Sequence, residues 1–182
     1  MMLQFEKLDS NSNLKKVNFN SDVASLNNFL FKESLDFIKE GYSQIYLLKE
    51  KEGNNLIGYF AISCGLIEFR KEIGIEKKHN YIPSLLIGRL AVDKNHRRKG
   101  YGKDLLKKAI NLSLSISSKV GCRLVTIDAK SNLNVLNFYK NMKFRYLKNL
   151  SAEKIERALK KNLQPTESTV KMYFDLHQIK KT

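Results

Sequence analysis

Long apolar runs, cysteines and acidic residues are all scarce in this 182-residue chain. There are nowhere 18 consecutive apolar residues, the length a membrane-crossing helix needs, and Met1 to Ser10 carries charge without an apolar stretch of signal-peptide length. A soluble cytoplasmic protein is expected, with no membrane association. Only two cysteines occur, Cys64 and Cys122, without metal-ligand spacing or the paired framework of a stapled secreted domain. Both sit in apolar segments, which leads us to expect buried thiols in a reducing compartment and no metal site. The acidic shortage is the most marked: 18 Asp+Glu against 33 Lys+Arg give a formal net charge of +15. Such an excess attracts polyanions, nucleic acid first among them, although a general Lys/Asn bias of composition would also scatter lysines with no selected partner.

With 42% hydrophobic residues, the chain can bury one core and is short for two domains, so a single domain over 1–182 is expected. Asp22 to Glu40 places Leu26, Phe29, Leu30, Phe37 and Ile38 at helical spacing, with Ser21 or Asp22 as N-cap and Gly41 as stop. Ile45 to Glu50 and Leu56 to Leu66 read as antiparallel strands joined by the turn-like Glu52-Gly53-Asn54-Asn55, and Phe69 to Tyr81 as charged and irregular. After Pro83 a continuous apolar run suggests a central, fully covered strand ending at Val92. Further on, the pattern predicts helices over Gly102 to Ser118 and Asn132 to Lys140, and strands over Cys122 to Ala129 and Phe144 to Leu147. A charged helix over Ser151 to Asn162 and a closing strand over Val170 to Leu176 complete an α+β order with a central sheet.

Between the central strand and the helix after it lies Arg97-Arg98-Lys99-Gly100-Tyr101-Gly102. Glycine at 100 lets backbone approach an anion and glycine at 102 lets the helix start tightly, so free N–H groups at the helix end can converge on phosphate. On its own this hexapeptide also suits an exposed turn; its strand-loop-helix setting favours the phosphate reading. An arginine in a covered strand, Arg89, needs a carboxylate, a phosphate or water, so it is a candidate for binding substrate or for a structural pair with Glu68.

Leu90-Ala91-Val92-Asp93, then Arg97-x-x-Gly100-x-Gly102, then Asn132 followed by Phe138-Tyr139, resemble the GCN5-related N-acetyltransferase (GNAT) superfamily in order, spacing and context. Phe19-Asn20-Ser21, Gly58-Tyr59-Phe60-Ala61 and Ile87-Gly88-Arg89 are similar to one subgroup, the acetylating toxins of toxin-antitoxin modules. Asn20 and Ser21 stand where those toxins have Asp and Cys, Lys143 where a Gly precedes the Phe, and 149–168 is a longer, charged helical insertion.

The resemblance implies a mixed, mostly antiparallel sheet with helices on both faces, and acetyl-CoA as co-substrate without a metal. It implies main-chain pairing of the pantetheine arm along Leu90, Ala91 and Val92, and a pyrophosphate held by Arg97, Arg98, Lys99, Gly100, Tyr101, Gly102 and Lys103. Asn132 would brace the pantetheine or the helix start, and Tyr139 would protonate the departing thiolate. The subgroup implies the α-amine of aminoacyl-tRNA as acceptor, Arg89 on the substrate side, a small antitoxin partner and a homodimer. No Glu precedes Leu90 to act as general base, and His79, His96 and His177 lie in loops or near the terminus. That favours an acceptor that deprotonates easily, and an α-amine at about 7.7–8.0 does so far more readily than lysine at about 10.4. The alternatives are acetylation of protein N-termini, lysines or small amines, and a non-catalytic module binding acyl-CoA or nucleic acid.

Overall fold

The computed structural model describes residues 2–51, 55–68, 73, 75 and 79–179. Seven strands form one sheet in the hydrogen-bonded order β1-β2-β3-β4-β5-β7-β6. They are β1 (Leu3–Lys7), β2 (Gln44–Glu50), β3 (Leu56–Glu68), β4 (Tyr81–Val92), β5 (Leu124–Lys130), β6 (Arg145–Tyr146) and β7 (Thr169–Asp175). Between them run α1 (Ala24–Asn28), α2 (Ser34–Lys39), α3 (Tyr101–Ser117), α4 (Leu133–Asn141) and α5 (Asn149–Lys160), so the expected α+β order is observed. The turn expected at Glu52 to Asn54 and most of the irregular stretch after Phe69 lie outside the described residues. None of the described helices is long and apolar enough to cross a membrane.

By packing, the chain divides into two compact units, Met1–Cys64 with Ile87–Leu112 and Gly65–Leu86 with Ser113–Thr182. In the first, β1/β2 and β2/β3 pair antiparallel. Its core gathers Leu8, Phe29, Leu30, Ile45, Leu47 and Tyr59. Buried Tyr59 keeps a partner for its hydroxyl, which donates to the Leu26 carbonyl at 2.7 Å, as a desolvated phenol must. β1 is absent from the sequence expectations. Its Leu-Gln-Phe-Glu-Lys alternation is short and Phe5 is 37% exposed, so little burial marks it; pairing with β2 makes it a strand.

The helix expected over Asp22 to Glu40 is interrupted by a π-helical turn at Phe29–Glu33, where the Ser34 N–H reaches the Phe29 carbonyl and the Ser34 hydroxyl donates to the Leu30 carbonyl at 2.5 Å. Phe29 and Leu30, at the start of this turn, both face the core, as the helical spacing of apolar residues predicts, while the π geometry itself does not show in that spacing. Val23 takes the N-cap position instead of Ser21 or Asp22, and Gly41 ends α2 at φ +76°.

In the second unit β5/β7 and β6/β7 pair antiparallel, over a core that includes Ile67, Ile73, Ile82, Leu124, Leu147 and Tyr173. Arg123 grips Asp175 through two 2.8 Å bonds. Burial raises the Asp175 pKa, but the bonds from Arg123 and the His177 N–H outweigh it and hold the carboxyl below its usual range.

Two expectations about burial are corrected. Cys64 is exposed and Cys122 only half-buried, because β3 is partly uncovered over residues 63–66 and Cys122 precedes β5. Nor is β4 fully covered: Tyr81, Pro83, Gly88 and Arg89 are exposed. An apolar run shows which residues can be covered, and tertiary packing decides which are.

Candidate active site

In the first unit, β4 delivers the chain to a network centred on Asp93, which is 5% exposed. Its carboxylate accepts from the Asn20 N–H at 2.8 Å and the Asn95 N–H at 2.9 Å, with His96 Nδ1 at 3.2 Å. Burial raises its pKa, and these donors more than compensate, holding it below the usual carboxylate range. Asn20 returns a bond by accepting the Lys94 N–H at 2.8 Å, and its side-chain oxygen takes the Asp22 N–H at 2.8 Å and Asn27 Nδ2 at 3.0 Å. Asn27 Oδ1 in turn takes the Ser21 N–H and hydroxyl at 2.9 and 2.7 Å. The segment before α1 is thus tied to the segment after β4. Asp93, Asn20 and Ser21 stand in the sequence motifs, and Ser21 also as an expected helix cap, but their joint role does not show there; the short polar run Asn20-Ser21-Asp22 is the available signal.

Beyond His96 the chain turns through Arg98 at φ +59° and Gly100 at φ +91° into α3. The Gly100 carbonyl accepts the Lys103 and Asp104 N–H groups at 2.9 and 3.2 Å, so it opens the helix, and Tyr101 and Gly102 precede the first intrahelical donors. Lys103 therefore has its N–H engaged in the helix, leaving only its side chain for a ligand. Two left-handed residues so close together curl successive N–H groups toward one side, an anion-binding backbone form at the positive end of a helix of 17 residues. A Cβ at Gly100 would meet nothing within 4 Å. The glycine answers the left-handed backbone and leaves an open approach. Arg97, Arg98 and Lys99 are exposed. Arg97 also donates to the Ser21 carbonyl and lies 3.8 Å from Asp22, so it fastens the loop as well as charging it.

Leu90 and Val92 are half-buried around buried Ala91 at the end of β4. There β3 comes unusually close: a Cβ on Gly58 would stand 2.6 Å from the Ala91 oxygen and 2.7 Å from Leu105 Cδ1. Neither a backbone oxygen nor a core leucine can yield that far, so Gly58→Ala is expected to destabilise the protein by about 2 to 3 kcal/mol. Denaturant unfolding measures this, and an unchanged midpoint would refute the tight approach. Arg89 lies with its guanidinium 5.2 Å from the Phe29 ring centre and donates to the Gly88 carbonyl at 2.8 Å. The π turn thus supplies the aromatic face on which this exposed cation rests.

The second unit carries the other two candidates. Asn132 is the N-cap of α4, its Oδ1 accepting the Asn134 and Val135 N–H groups at 2.9 and 3.3 Å, so of its two expected roles the helix start is the one observed. Tyr139 stands three residues before the α4 C-cap, Met142. The Phe144 N–H bonds to the Tyr139 carbonyl at 3.0 Å and the Lys143 N–H to the Lys140 carbonyl at 2.8 Å, while the Phe144 and Tyr139 rings meet edge-on at 5.7 Å. This is a Schellman ending with its apolar contact, and it fixes the tyrosine ring. Burial pushes the Tyr139 phenol up to about 12.

The position between them, Lys143, has φ +65°, the conformation that a glycine takes without steric cost. Lys143→Gly should raise stability by about 0.5 to 1 kcal/mol and leave the Tyr139 contacts intact. A lower unfolding temperature for that variant would contradict the assignment. His96 Nδ1 lies 3.2 Å from the Asp93 carboxylate, and the backbone N–H of His177 bonds to Asp175.

A family model for the acetyltransferase (GNAT) domain matches residues 41–146. Among curated proteins, a probable toxin TacT of Sinorhizobium fredii is 26% identical over 127 residues, covering 68% of this chain and 70% of that protein. A tRNA-acetylating toxin of Mycobacterium tuberculosis is 26% identical over 113 residues, covering 61% of this chain and 67% of that protein. Among solved structures, a mutant AtaT toxin bound to the C-terminus of the antitoxin AtaR and to acetyl-CoA matches with a TM-score of 0.74 at 22% identity, over 98% of this chain and 96% of that one.

Proposed function

The chain belongs to the GNAT acetyltransferase family, and on that premise we propose that it transfers acetyl from acetyl-CoA to the α-amine of an aminoacyl-tRNA in the cytoplasm. The observation carrying the cofactor half is the left-handed turn at Arg98 and Gly100 opening α3, which presents backbone N–H groups and exposed cations of a kind that suits a pyrophosphate. Leu90 and Val92 would hold the pantetheine arm by their main chain, and Arg97 to Lys103 the phosphates. Acetyl-CoA supplies the acyl thioester.

The acceptor nitrogen bonds to the carbonyl carbon, the carbon–sulfur bond breaks, and Tyr139 Oη gives its proton to the departing sulfur. Burial keeps that proton on the phenol at neutral pH. The same apolar setting raises the proton affinity of a thiolate in step, which keeps the transfer accessible although a free thiol at about 8.5 is the stronger acid. With no carboxylate base before Leu90, an acceptor amine of pKa about 7.7–8.0 loses its own proton to solvent readily.

The tRNA half rests on the net charge of +15, including Lys154, Arg157 and Lys160 on α5 and Lys161 at its C-cap, and on the names of the two curated relatives. By the same likeness we propose a small antitoxin as a partner and a homodimer as the working form. Transfer of labelled acetyl from acetyl-CoA to a pool of charged tRNAs, run beside peptide N-termini, lysine peptides and polyamines, tests the reading. Label on aminoacyl-tRNA supports it; label confined to peptides or amines replaces it with a protein- or amine-modifying acetyltransferase.

A further inference from the structure

Helix α5 carries two glutamates in contrasting settings. Glu153 is an ordinary surface charge, 3.6 Å from Arg157 one turn on, with both side chains more than half exposed. Glu156 is half-buried, its side chain 16% exposed, and its partners come from two other elements. One carboxylate oxygen, Oε1, accepts from Lys140 Nζ at 2.5 Å and from the Tyr146 hydroxyl at 2.7 Å. The Lys140 ammonium also stands 5.8 Å from the centre of the Tyr146 ring, so the three side chains close a triangle. Burial raises the Glu156 pKa, but the two bonds and the nearby Lys140 and Lys160 charges outweigh it and hold the carboxyl below its usual range.

One corner of this triangle is the residue next to Tyr139. α4 has nine residues, too few to hold a helix without tertiary support, and of these only Leu136 is fully buried. Its last turn therefore depends on what grips it from outside, and besides the Schellman ending that grip is the bond from Lys140 to Glu156. Tyr146, the third corner, lies opposite fully buried Met172 of β7, so the triangle ties the end of α4 to the sheet as well as to α5. A general acid works only within hydrogen-bond reach of the atom it protonates, and a misplacement of about 1 Å can cost about a hundredfold in rate.

Resting on the reading of Tyr139 as the acid that protonates the departing thiolate, we infer that Glu156 is a positioning residue for the transfer. It holds Lys140 and with it the last turn of α4, and so sets where the Tyr139 hydroxyl stands. Its effect runs through that hydroxyl and not through acetyl-CoA binding.

The test is a double-mutant cycle on the full chain, with Glu156→Leu and Tyr139→Phe singly and together. Transfer of labelled acetyl is read on charged tRNAs, peptide N-termini and polyamines in parallel, and the acceptor that the parent labels best serves for every variant. Glu156→Leu keeps similar bulk and removes the carboxylate, and it is expected to lower kcat about tenfold or more with KM for acetyl-CoA within about twofold of the parent. Glu156→Gln still accepts from both donors and should keep kcat within about threefold of the parent. In the Tyr139→Phe background no hydroxyl remains to be placed, so Glu156→Leu should cost less than about a further twofold. A merely structural glutamate would lower the active fraction in both backgrounds alike. Equal losses with and without the Tyr139 hydroxyl, Glu156→Gln no better than Glu156→Leu, a raised KM in place of a lowered kcat, or Glu156→Leu as active as the parent would each overturn the positioning role and leave the general-acid reading in place. Undiminished turnover in Tyr139→Phe, or label on none of the acceptors, would remove that reading and this inference with it.

Discussion

Tyr139→Phe is expected to lower kcat by about 100- to 10,000-fold, the range a positioned general acid contributes, and to leave acetyl-CoA binding in place. The variant keeps the ring between Phe138 and Phe144 and removes only the hydroxyl. Burial is the cause of the raised phenol pKa, so losing the hydroxyl should cost the fold nothing and leave the Schellman ending of α4 undisturbed. Steady-state kinetics beside calorimetric titration with acetyl-CoA separate the two effects. Unchanged turnover would sink the general-acid role; a fall in kcat accompanied by lost binding would recast Tyr139 as a residue that shapes the cofactor site.

Gly100→Asp should abolish measurable acetyl-CoA binding, and Gly100→Ala divides the loss into its causes. A Cβ at this position touches nothing, so crowding is not the difficulty. The backbone is: φ of +91° costs an L side chain about 1 to 2 kcal/mol, which alone weakens binding about tenfold if the loop relaxes away from its cradle. Aspartate adds a carboxylate beside phosphate, about 4 kcal/mol at 4 Å and an effective dielectric of 20, close to another thousandfold. The alanine variant should therefore bind weakly and the aspartate variant not at all by calorimetry. Affinity equal to the parent in Gly100→Asp would show that the turn does not hold the phosphates.

Much of the site was legible because its residues act locally. Gly100 announces a backbone conformation, Asn132 caps the helix that starts after it, and Lys143 standing in a glycine position foretold the left-handed residue found there. The Asp93 network was not legible in the same way. It joins Asn20 and Asn27 to a carboxylate more than sixty residues away, and nothing in either segment alone shows that the two will share hydrogen bonds. Ser21 was read as a helix cap because Ser favours that role; its side chain instead meets Asn27, and Val23 is left to begin α1. Arg89, expected in a covered strand, is exposed against Phe29, the first residue of the π turn.

By itself, the sequence determined the order of helices and strands after β1, the strand-loop-helix unit, the positive charge and the position of the tyrosine, since each depends on residues close together in the chain. Tertiary structure alone decided that β1 joins the sheet, that β4 is open at Gly88 and Arg89, and that Cys64 faces solvent. It also decided that α5 lines a pocket with Ile67, Leu147 and Val170. Burial and strand pairing are properties of what lies opposite a residue, and the partner opposite is chosen by the whole chain's packing.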